Sequence, residues 1–387
     1  WEVRPETAEL YEQRRKQLTS IAAARHNAEN EWRKKNPELA KTLDGYIAGK
    51  LPELDWDKVV VKPNSATRAA SAAVLSFLAE NIGNMIVSSA DLANSDKTDG
   101  FLKKTSQIEP GDFNGAFLQS GVAELTMACI MNGIALHGGM YAACGTFFVF
   151  SDYMKPAIRI SALMEQPVKY IFTHDAFRVG EDGPTHEPVE QEAQIRLLEQ
   201  MNNLSGRPAA LVLRPADAAE TVACYRMAME NTESPSVMIL SRQDIKDIPG
   251  DDRRQQAFGA IRGGYEVMTA ENPDVVLVAD GSEVSLLCDV AESLKQDGIH
   301  TRVVSMPSIG VFTRQDKAYR DSILPEGVPT FALTAGLPAT FYPISRDNWR
   351  IFGLKRFGAS APYKVLDEKF GYTTENIASE VKQMIKK

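Results

Sequence analysis

The stretch that determines the fold class spans residues 168–191 and reads VKYIFTHDAFRVGEDGPTHEPVEQ. It begins with an apolar, β-rich run, which predicts a buried strand over 168–172. A polar loop with two glycines and a proline follows, and helical periodicity begins at 188. A buried strand that leads through a loop into a helix is the repeating unit of a mostly parallel sheet covered on both faces.

The same alternation continues on both sides of this stretch. Further strands are predicted over 85–87, 210–213 and 237–240, and helices over 66–82, 154–164, 188–201 and 218–231. After a polar stretch at 249–256, a second unit has predicted strands over 274–279, 301–305 and 330–334, and helices over 283–296 and from 375 onward. We therefore expect an α/β protein with two consecutive three-layer α/β domains, each built on a mostly parallel sheet.

The N-terminal residues differ from this pattern. Residues 6–43 are dense in charge and contain Pro37 as their one helix breaker, so they predict one or two helices. Their apolar positions are too sparse for a core, which favours a helical linker over 1–56 that lies on another surface; a solvated helical arm is the alternative. The chain begins with Trp1, so we expect residues upstream to be missing.

Composition limits the function classes. The chain has 387 residues with 43 basic and 51 acidic side chains, a net charge of −8, which argues against a nucleic acid or an anionic membrane as partner. No apolar run is long enough to cross a bilayer. The four scattered cysteines predict buried, reduced thiols in a cytoplasmic protein, and neither a disulfide framework nor a zinc site.

Two of the five histidines, His174 and His186, fall in the loop after the strand 168–172. Asp175, Glu181 and Asp182 add acceptors, so this loop suits a polyhydroxylated ligand at the carboxyl edge of the sheet. A metal site is the alternative, but no His-x-x-x-His spacing supports it. A loop that only satisfies its own backbone is the other alternative, which two histidines in one Gly-Glu-Asp-Gly-Pro turn make less attractive.

Glu124 is the one carboxylate at the start of an otherwise apolar segment, 120–137, whose pattern predicts a fully buried helix. A buried carboxylate needs a partner or a proton, which makes Glu124 a candidate functional group. The alternative is an ordinary glutamate in the first turn of a helix capped by Ser120.

Phe147, Phe150 and Tyr153 are spaced to share one helical face. Such a stripe is usually core, but it would also stack on a flat heteroaromatic ring.

Arg68, Ser95 and Arg242 each lie near the end of a predicted element. An arginine at such a position suits a phosphate, which it can bind through forked hydrogen bonds. Taken singly, each of these three is an ordinary surface residue.

Taken together, these motifs resemble transketolases. The loop 173–188 is close to the most specific signature of that family, and the segments 89–95, 133–139, 240–243 and 303–307 support the match. The resemblance covers the whole chain but only the later part of a full transketolase. It implies a linker over 1–56, a pyrimidine-binding domain over 57–247 and a transketolase C-terminal domain over 248–387.

The resemblance also implies that the diphosphate-binding domain is absent. That domain carries Gly-Asp-Gly followed by Asn, which hold a divalent metal and the diphosphate of thiamine diphosphate. The nearest strings here, at 111–113 and 250–252, do not fit. The implied cofactor is therefore thiamine diphosphate, with Mg²⁺ or Ca²⁺ held by the missing domain and no metal ligand in this chain.

Residue roles follow from the resemblance position by position. Catalytic roles fall on Glu124, which would hydrogen-bond the aminopyrimidine ring of the cofactor, and on His186. Cofactor-binding roles fall on Glu124, Phe147, Phe150, Tyr153, Asp91 and Leu92, and substrate-binding roles on Arg68, Ser95, His174, Asp182, His186 and Arg242. The family has an arginine before this glutamate and an aromatic residue or histidine after it, whereas Ala123 and Leu125 stand here.

The implied function is transfer of a two-carbon ketol unit from a ketose phosphate to an aldose phosphate. Partners would be sugar phosphates, a diphosphate-binding domain in the same full-length chain or in a separate subunit, and a second copy in a homodimer. The alternatives are a beta-type subunit of a 2-oxoacid dehydrogenase, a deoxyxylulose phosphate synthase, and a non-catalytic assembly module with the same fold.

Overall fold

A computed structural model describes residues 2–386, which form a helical unit up to Lys50 and an α/β unit from Leu51. The helical unit contains α1 (Pro5–Lys35) and α2 (Pro37–Ile47), which confirms the helices predicted from charge density and the break at Pro37. No residue of α1 is buried. Arg33 joins the two helices through Asp44 at 2.8 Å.

The first sheet of the α/β unit is parallel throughout. Its strands are β1 (Met85–Ser89), β2 (Phe117–Gln119), β3 (Tyr141–Phe147), β4 (Lys169–Thr173), β5 (Leu211–Leu213) and β6 (Ser236–Leu240). They are arranged in the order β2-β1-β3-β4-β6-β5. All of their carboxyl ends therefore meet at one edge of the sheet.

The second sheet has five strands and is mixed. Its strands are β7 (Tyr265–Met268), β8 (Val275–Ala279), β9 (Thr301–Ser305), β10 (Thr330–Leu333) and β11 (Trp349–Phe352), in the order β11-β10-β8-β9-β7. Only β7 runs antiparallel to its neighbour. Two mostly parallel sheets in succession confirm the predicted fold class.

Helices cover both faces of each sheet. They are α3 (Thr67–Asn81), α4 (Ala93–Asp96), α5 (Asp99–Leu102), α6 (Glu124–His137), α7 (Ser151–Leu163), α8 (Gln191–Arg196), α9 (Ala218–Glu230), α10 (Arg253–Ala257), α11 (Glu283–Gln296), α12 (Ile309–Thr313), α13 (Lys317–Ile323), α14 (Tyr363–Phe370) and α15 (Thr374–Ile385). On the first sheet, α3 and α9 pack on one face, and α6 and α7 on the other. The core of α3 and α9 is continuous with that of α11 and α15, so the two sheets share one hydrophobic cluster.

The helix predicted over 120–137 is present, but the prediction that it is fully buried is wrong. Its buried residues lie on one face and include Met127 and Met131, whereas Leu136 on the other face is 61% exposed. The sequence pattern misled because the outward face is as apolar as the inward one. The predicted burial of all cysteines is also wrong at Cys129, which is exposed on this face; Cys144, Cys224 and Cys288 are buried, and all four are free.

The close packing of α3 against α5 gives a stability prediction. A Cβ at Gly100 would lie 2.3 Å from the Ala72 carbonyl oxygen, whereas a Cβ at Gly133, inside α6, would meet nothing within 4 Å. Gly100→Ala is therefore expected to lower the free energy of unfolding by about 1–3 kcal/mol. Gly133→Ala, the matched control, is expected to raise it by about 0.5–1 kcal/mol. Urea unfolding curves of the two variants measure both changes in the free energy of unfolding. Equal destabilisation by the two substitutions would contradict the close packing at Gly100.

Among residues 2–386 no helix has both the length and the apolar character that crossing a membrane requires.

Candidate active site

The candidate residues converge at the carboxyl edge of the first sheet. His174 follows β4 directly, Arg242 lies two residues after β6, and Ser95 lies in α4, which follows β1. Phe147 is the last residue of β3, and Glu124 begins α6 after β2. Since open α/β sheets bind ligands at this edge, the topology brings together groups that are far apart in sequence.

A cationic cluster forms around His174. The Arg68 guanidinium donates to the Ser95 carbonyl oxygen at 2.8 Å, and its Nη1 lies 3.4 Å from His174 Nε2. The Arg68 backbone N–H bonds the Ser241 carbonyl, which places Arg242 beside the pair. Burial, followed by the charge of Arg242, lowers the pKa of Arg68. Two arginines and a histidine with this geometry can bind an anion, and this cluster is called the anion pocket below.

The His174 ring is buried in this cluster. Its Nδ1 lies 2.8 Å from Thr173 Oγ1, and its centroid is 3.6 Å from that of Phe147. Burial, then the charges of Arg68 and Arg242, lowers the pKa of His174 to about 2. The imidazole is therefore neutral at physiological pH, so the arginines carry the positive charge of the pocket.

This lowered pKa gives a pH prediction. The unfolded chain takes up a proton at His174 below about pH 6.5 and the folded chain does not, so this group's contribution to stability is fully present above 6.5 and is lost as the pH falls. Between pH 7.5 and 5, wild type should lose about 2 kcal/mol more unfolding free energy than His174→Gln. Unfolding curves at both pH values test this, and His137→Gln, at an exposed histidine, should behave as wild type.

The aromatic residues lie together, although not as predicted. Phe147 ends a strand, Phe150 lies in a 3₁₀ turn over Phe148–Phe150, and Tyr153 lies in α7, so the prediction of one helical face is wrong. The chain turns sharply after β3, which the apolar run did not reveal. The Phe147 and Phe150 rings are nonetheless nearly parallel with centroids 6.0 Å apart, and Tyr153 is 6.2 Å from Phe150 and mostly exposed.

The loop after β4 brings His186 to these rings. The His186 centroid is 5.5 Å from Phe150 and 6.4 Å from Phe147, and its Nδ1 lies 2.9 Å from Thr185 Oγ1. Asp182, in the same loop, is exposed. The second ring nitrogen of His186 has no hydrogen bond to any of residues 2–386, so it is open to a ligand.

Glu124 is the first residue of α6 and is 9% exposed. No hydrogen bond, ion pair or ring contact connects its carboxylate to the described part of the chain. The alternative of a Ser120 cap is wrong, because the cap position is Ala123 and the Ser120 hydroxyl bonds Ser88 at 2.6 Å. A mostly buried carboxylate without a partner in the described residues can accept a hydrogen bond from a donor outside the chain.

The turn after β1 is held by a buried acid that sequence reasoning missed. Asp96 accepts from Ser89 Oγ at 2.6 Å and from the Thr98 hydroxyl at 2.7 Å, and burial raises its pKa to about 6. This fixes the turn that contains Asp91, which is exposed at φ 62°, and Leu92, whose N–H donates to Ser89 Oγ.

Asp175, predicted to offer an acceptor to a ligand, is instead paired inside the chain. It is buried, and its carboxylate accepts both Nε and Nη2 of Arg214, at 3.2 and 2.7 Å. Arg214 is a second residue that sequence reasoning missed. The available signal was its position directly after the apolar strand β5, since Arg242 was identified by lying close to the end of a strand, two residues after β6.

Among residues 2–386 no group of three or more His, Cys, Asp or Glu side chains is arranged to hold a metal ion.

Two family models match the chain. The pyrimidine-binding domain of transketolase matches residues 64–247, and the transketolase-like C-terminal domain matches residues 263–373. A transketolase of Halalkalibacterium halodurans is 38% identical over 98% of this chain and 56% of its own length. The Bacillus subtilis transketolase is 41% identical over 91% of this chain and 52% of its own. The chain thus spans about half the length of these curated relatives.

Solved structures agree. A transketolase from Leishmania mexicana superposes with a TM-score of 0.88 and 31% identity, covering 100% of this chain and 55% of its own. A Pichia stipitis transketolase in complex with sedoheptulose 7-phosphate superposes with a TM-score of 0.86 and 34% identity. The match covers 99% of this chain and 56% of that one. A split-gene transketolase described as an inactive β4 tetramer superposes with a TM-score of 0.64 and 24% identity, covering 83% of this chain and 99% of its own. That likeness shows the fold alone.

Proposed function

Because this chain belongs to the transketolase family, we propose that it supplies the pyrimidine-binding and C-terminal parts of a transketolase. The reaction moves a two-carbon ketol unit from a ketose phosphate such as xylulose 5-phosphate to an aldose phosphate in the pentose phosphate pathway. The observation that carries the proposal is the cluster of Arg68, His174 and Arg242 beside the rings of Phe147 and His186. It can hold a phosphate at one end of a substrate whose other end reaches the aromatic pocket.

The proposed domain division is a helical linker over 1–56, a pyrimidine-binding domain over 57–247 and a C-terminal domain over 248–387. Its support is the separate helical unit that ends at Lys50 and the two successive sheets. We also propose a cytoplasmic location, supported by the four free cysteines.

The residues fit the pyrimidine end of thiamine diphosphate. The Glu124 carboxylate has no partner within residues 2–386, and Phe147 and Phe150 form a stacked pair beside the mostly exposed Tyr153. Asp91 and Leu92 lie on the fixed turn after β1. When bound, thiamine diphosphate supplies the chemistry that lets the carbon–carbon bond beside the substrate carbonyl break. The diphosphate and its Mg²⁺ or Ca²⁺ would be held by a diphosphate-binding domain.

The chain's own residues would bind the cofactor ring and the substrate, orient them, and move protons. Glu124 would hold a proton at a ring nitrogen of the aminopyrimidine, which tunes the base at the ring's amino group. Phe147, Phe150 and Tyr153 would fix the plane of that ring. Arg68, Arg242, His174 and Ser95 would bind the substrate phosphate, and this remote binding orients the reacting carbonyl. Asp182 and His186 would contact the sugar hydroxyls, with His186 assisting proton movement.

The partner that completes the site is a diphosphate-binding domain, in the same full-length chain or in a separate subunit, within a homodimer. An apolar surface on the outer faces of α6 and α7 is typical of a protein–protein contact and supports the homodimer. This α6–α7 surface comprises Leu125, Cys129, Ile130, Leu136, Ile160 and Leu163 and contains a groove of about 360 Å³. Leu136→Glu should weaken self-association in sedimentation experiments, whereas Val365→Glu, at an exposed valine elsewhere, should not.

The function is tested by reconstitution. The chain is mixed with a diphosphate-binding transketolase domain, thiamine diphosphate and Mg²⁺, and ketol transfer from xylulose 5-phosphate to ribose 5-phosphate is measured. The mixture should turn over the sugar phosphates and leave pyruvate untouched, because a 2-oxoacid has no phosphate for the cationic cluster. Turnover of pyruvate instead would favour a 2-oxoacid dehydrogenase subunit. Full activity of the chain alone would contradict the proposal that a separate diphosphate-binding domain completes the site.

A further inference from the structure

Asp175 and Arg214 form a buried ion pair next to the anion pocket. Asp175 is the residue after His174, and both pair members are at least nine-tenths buried. Two N–H groups of Arg214 donate to one carboxylate oxygen of Asp175, at 3.2 and 2.7 Å. Opening this pair would leave the Asp175 carboxylate buried without its charged partner, which is costly, so the pair restrains Asp175.

Arg214 is itself held by the second sheet. Its Nη1 contacts Asp280 Oδ1 at 2.8 Å and Glu283 Oε2 at 2.7 Å. Asp280 directly follows β8 and Glu283 begins α11, so both acids lie at the carboxyl edge of that sheet. Gly281, at φ 56°, donates its N–H to the Arg214 carbonyl at 3.1 Å, and a Cβ there would lie 2.6 Å from Arg214 Cζ.

His174 needs such a support. It is one of the few residues other than glycine with positive φ, at 62°. A left-handed conformation outside glycine costs on the order of 1–3 kcal/mol and persists only where neighbouring contacts hold it. The side-chain contacts of His174, to Thr173, Phe147 and Arg68, are all made by its ring. The residue that follows, Asp175, is held through its side chain by the pair with Arg214.

We infer that Arg214 is a positioning residue: by holding Asp175 it keeps His174 in its left-handed conformation and so builds the anion pocket from behind. The second sheet takes part through Asp280 and Glu283, which keep Arg214 in place. This deepens the proposed function, on which it rests, by giving the C-terminal part of the chain a role in binding the substrate phosphate.

The test uses Arg214→Lys in the full chain, which keeps the charge and loses the forked donor. The matched control is Arg253→Lys. Arg253 also directs two N–H groups at a carboxylate, that of the buried Asp217, at 2.6 and 3.1 Å. None of its hydrogen bonds or ion pairs within residues 2–386 involves the loop after β4. Both variants lose one guanidinium fork, so they separate a general loss of stability from an effect on the pocket.

The first readout is the nuclear magnetic resonance spectrum of the histidine rings in ligand-free protein. The chain has five histidines, and the His174 signal is assigned by its loss in His174→Gln. In wild type and Arg253→Lys, the Phe147 ring should shift the His174 signal, which should not titrate between pH 5 and 8. In Arg214→Lys that ring-current shift should be lost and the ring should begin to titrate in this range.

The second readout is the dissociation constant for ribose 5-phosphate. It should rise at least tenfold in Arg214→Lys and stay within twofold in Arg253→Lys. An unchanged His174 signal in Arg214→Lys overturns the inference. Should that variant fail to fold, Asp175→Asn removes the charge of the other member of the pair. It must then give the same change in the His174 signal and the same rise in the dissociation constant. If wild type binds no sugar phosphate, the proposed function fails, while the His174 signal still decides the positioning role.

Discussion

Glu124→Gln is expected to lower ketol transfer in the reconstituted enzyme by about 10²- to 10⁴-fold, the range that a positioned acid–base group contributes. Glutamine has the same shape but cannot take up or release a proton at a ring nitrogen of the cofactor. The carboxylate has no hydrogen bond or ion pair within residues 2–386, so no internal contact is lost. The free energy of unfolding should therefore stay the same or rise, since an unpartnered carboxylate is removed.

The measurement is turnover at saturating xylulose 5-phosphate and thiamine diphosphate, with a urea unfolding curve of each protein. Glu109→Gln removes an exposed carboxylate of the same type and should keep wild-type turnover. Wild-type turnover in Glu124→Gln would remove the acid–base role and favour a non-catalytic module that has kept the fold.

Arg242→Gln should raise the KM for xylulose 5-phosphate by about 10- to 100-fold, which corresponds to the roughly 1.5–3 kcal/mol of a hydrogen bond to a charged group. Arg242 makes no hydrogen bond or ion pair with the described residues, so its substitution breaks no internal contact. Arg68, by contrast, also holds the Ser95 carbonyl, and its loss would disturb the turn as well.

The control is a ketose donor without phosphate, whose KM the same variant should leave within about twofold, because no phosphate is there to lose its partner. A parallel rise in KM for both donors would mean that Arg242 shapes the pocket and does not bind phosphate. A fall in kcat alone for both donors would point to the same conclusion.

Much of the fold was readable from the chain. Apolar runs such as 237–240 and 275–279 are buried on both faces, so their strands stand out from flanking polar turns. The strands that were not predicted are β2, β3, β7 and β11. The strand β3 contains Gly145 and small residues, and the edge strand β2 has three residues, so neither gives a strong pattern.

The candidate site was readable where one residue type is unusual for its surroundings. His174 and His186 stand in a glycine-bearing acidic loop, and Glu124 stands in an apolar segment. Asp175 was misassigned because its partner lies 39 positions away and is known only once β5 takes its place in the sheet. Asp96 was missed because its bonds to Ser89 and Thr98 form only when the turn after β1 closes.

By itself the sequence determined the alternation of strand and helix and the chemistry available at the end of each strand, because local periodicity and residue type are properties of neighbours along the chain. Tertiary structure alone decided which of these strand ends share a pocket and which face of α6 is left open. It also decided that Arg214 is paired with buried carboxylates, whereas Arg242 has no such partner among the described residues. Those outcomes depend on strand order and on the electrostatics of burial, which arise only when residues distant in sequence exclude water together.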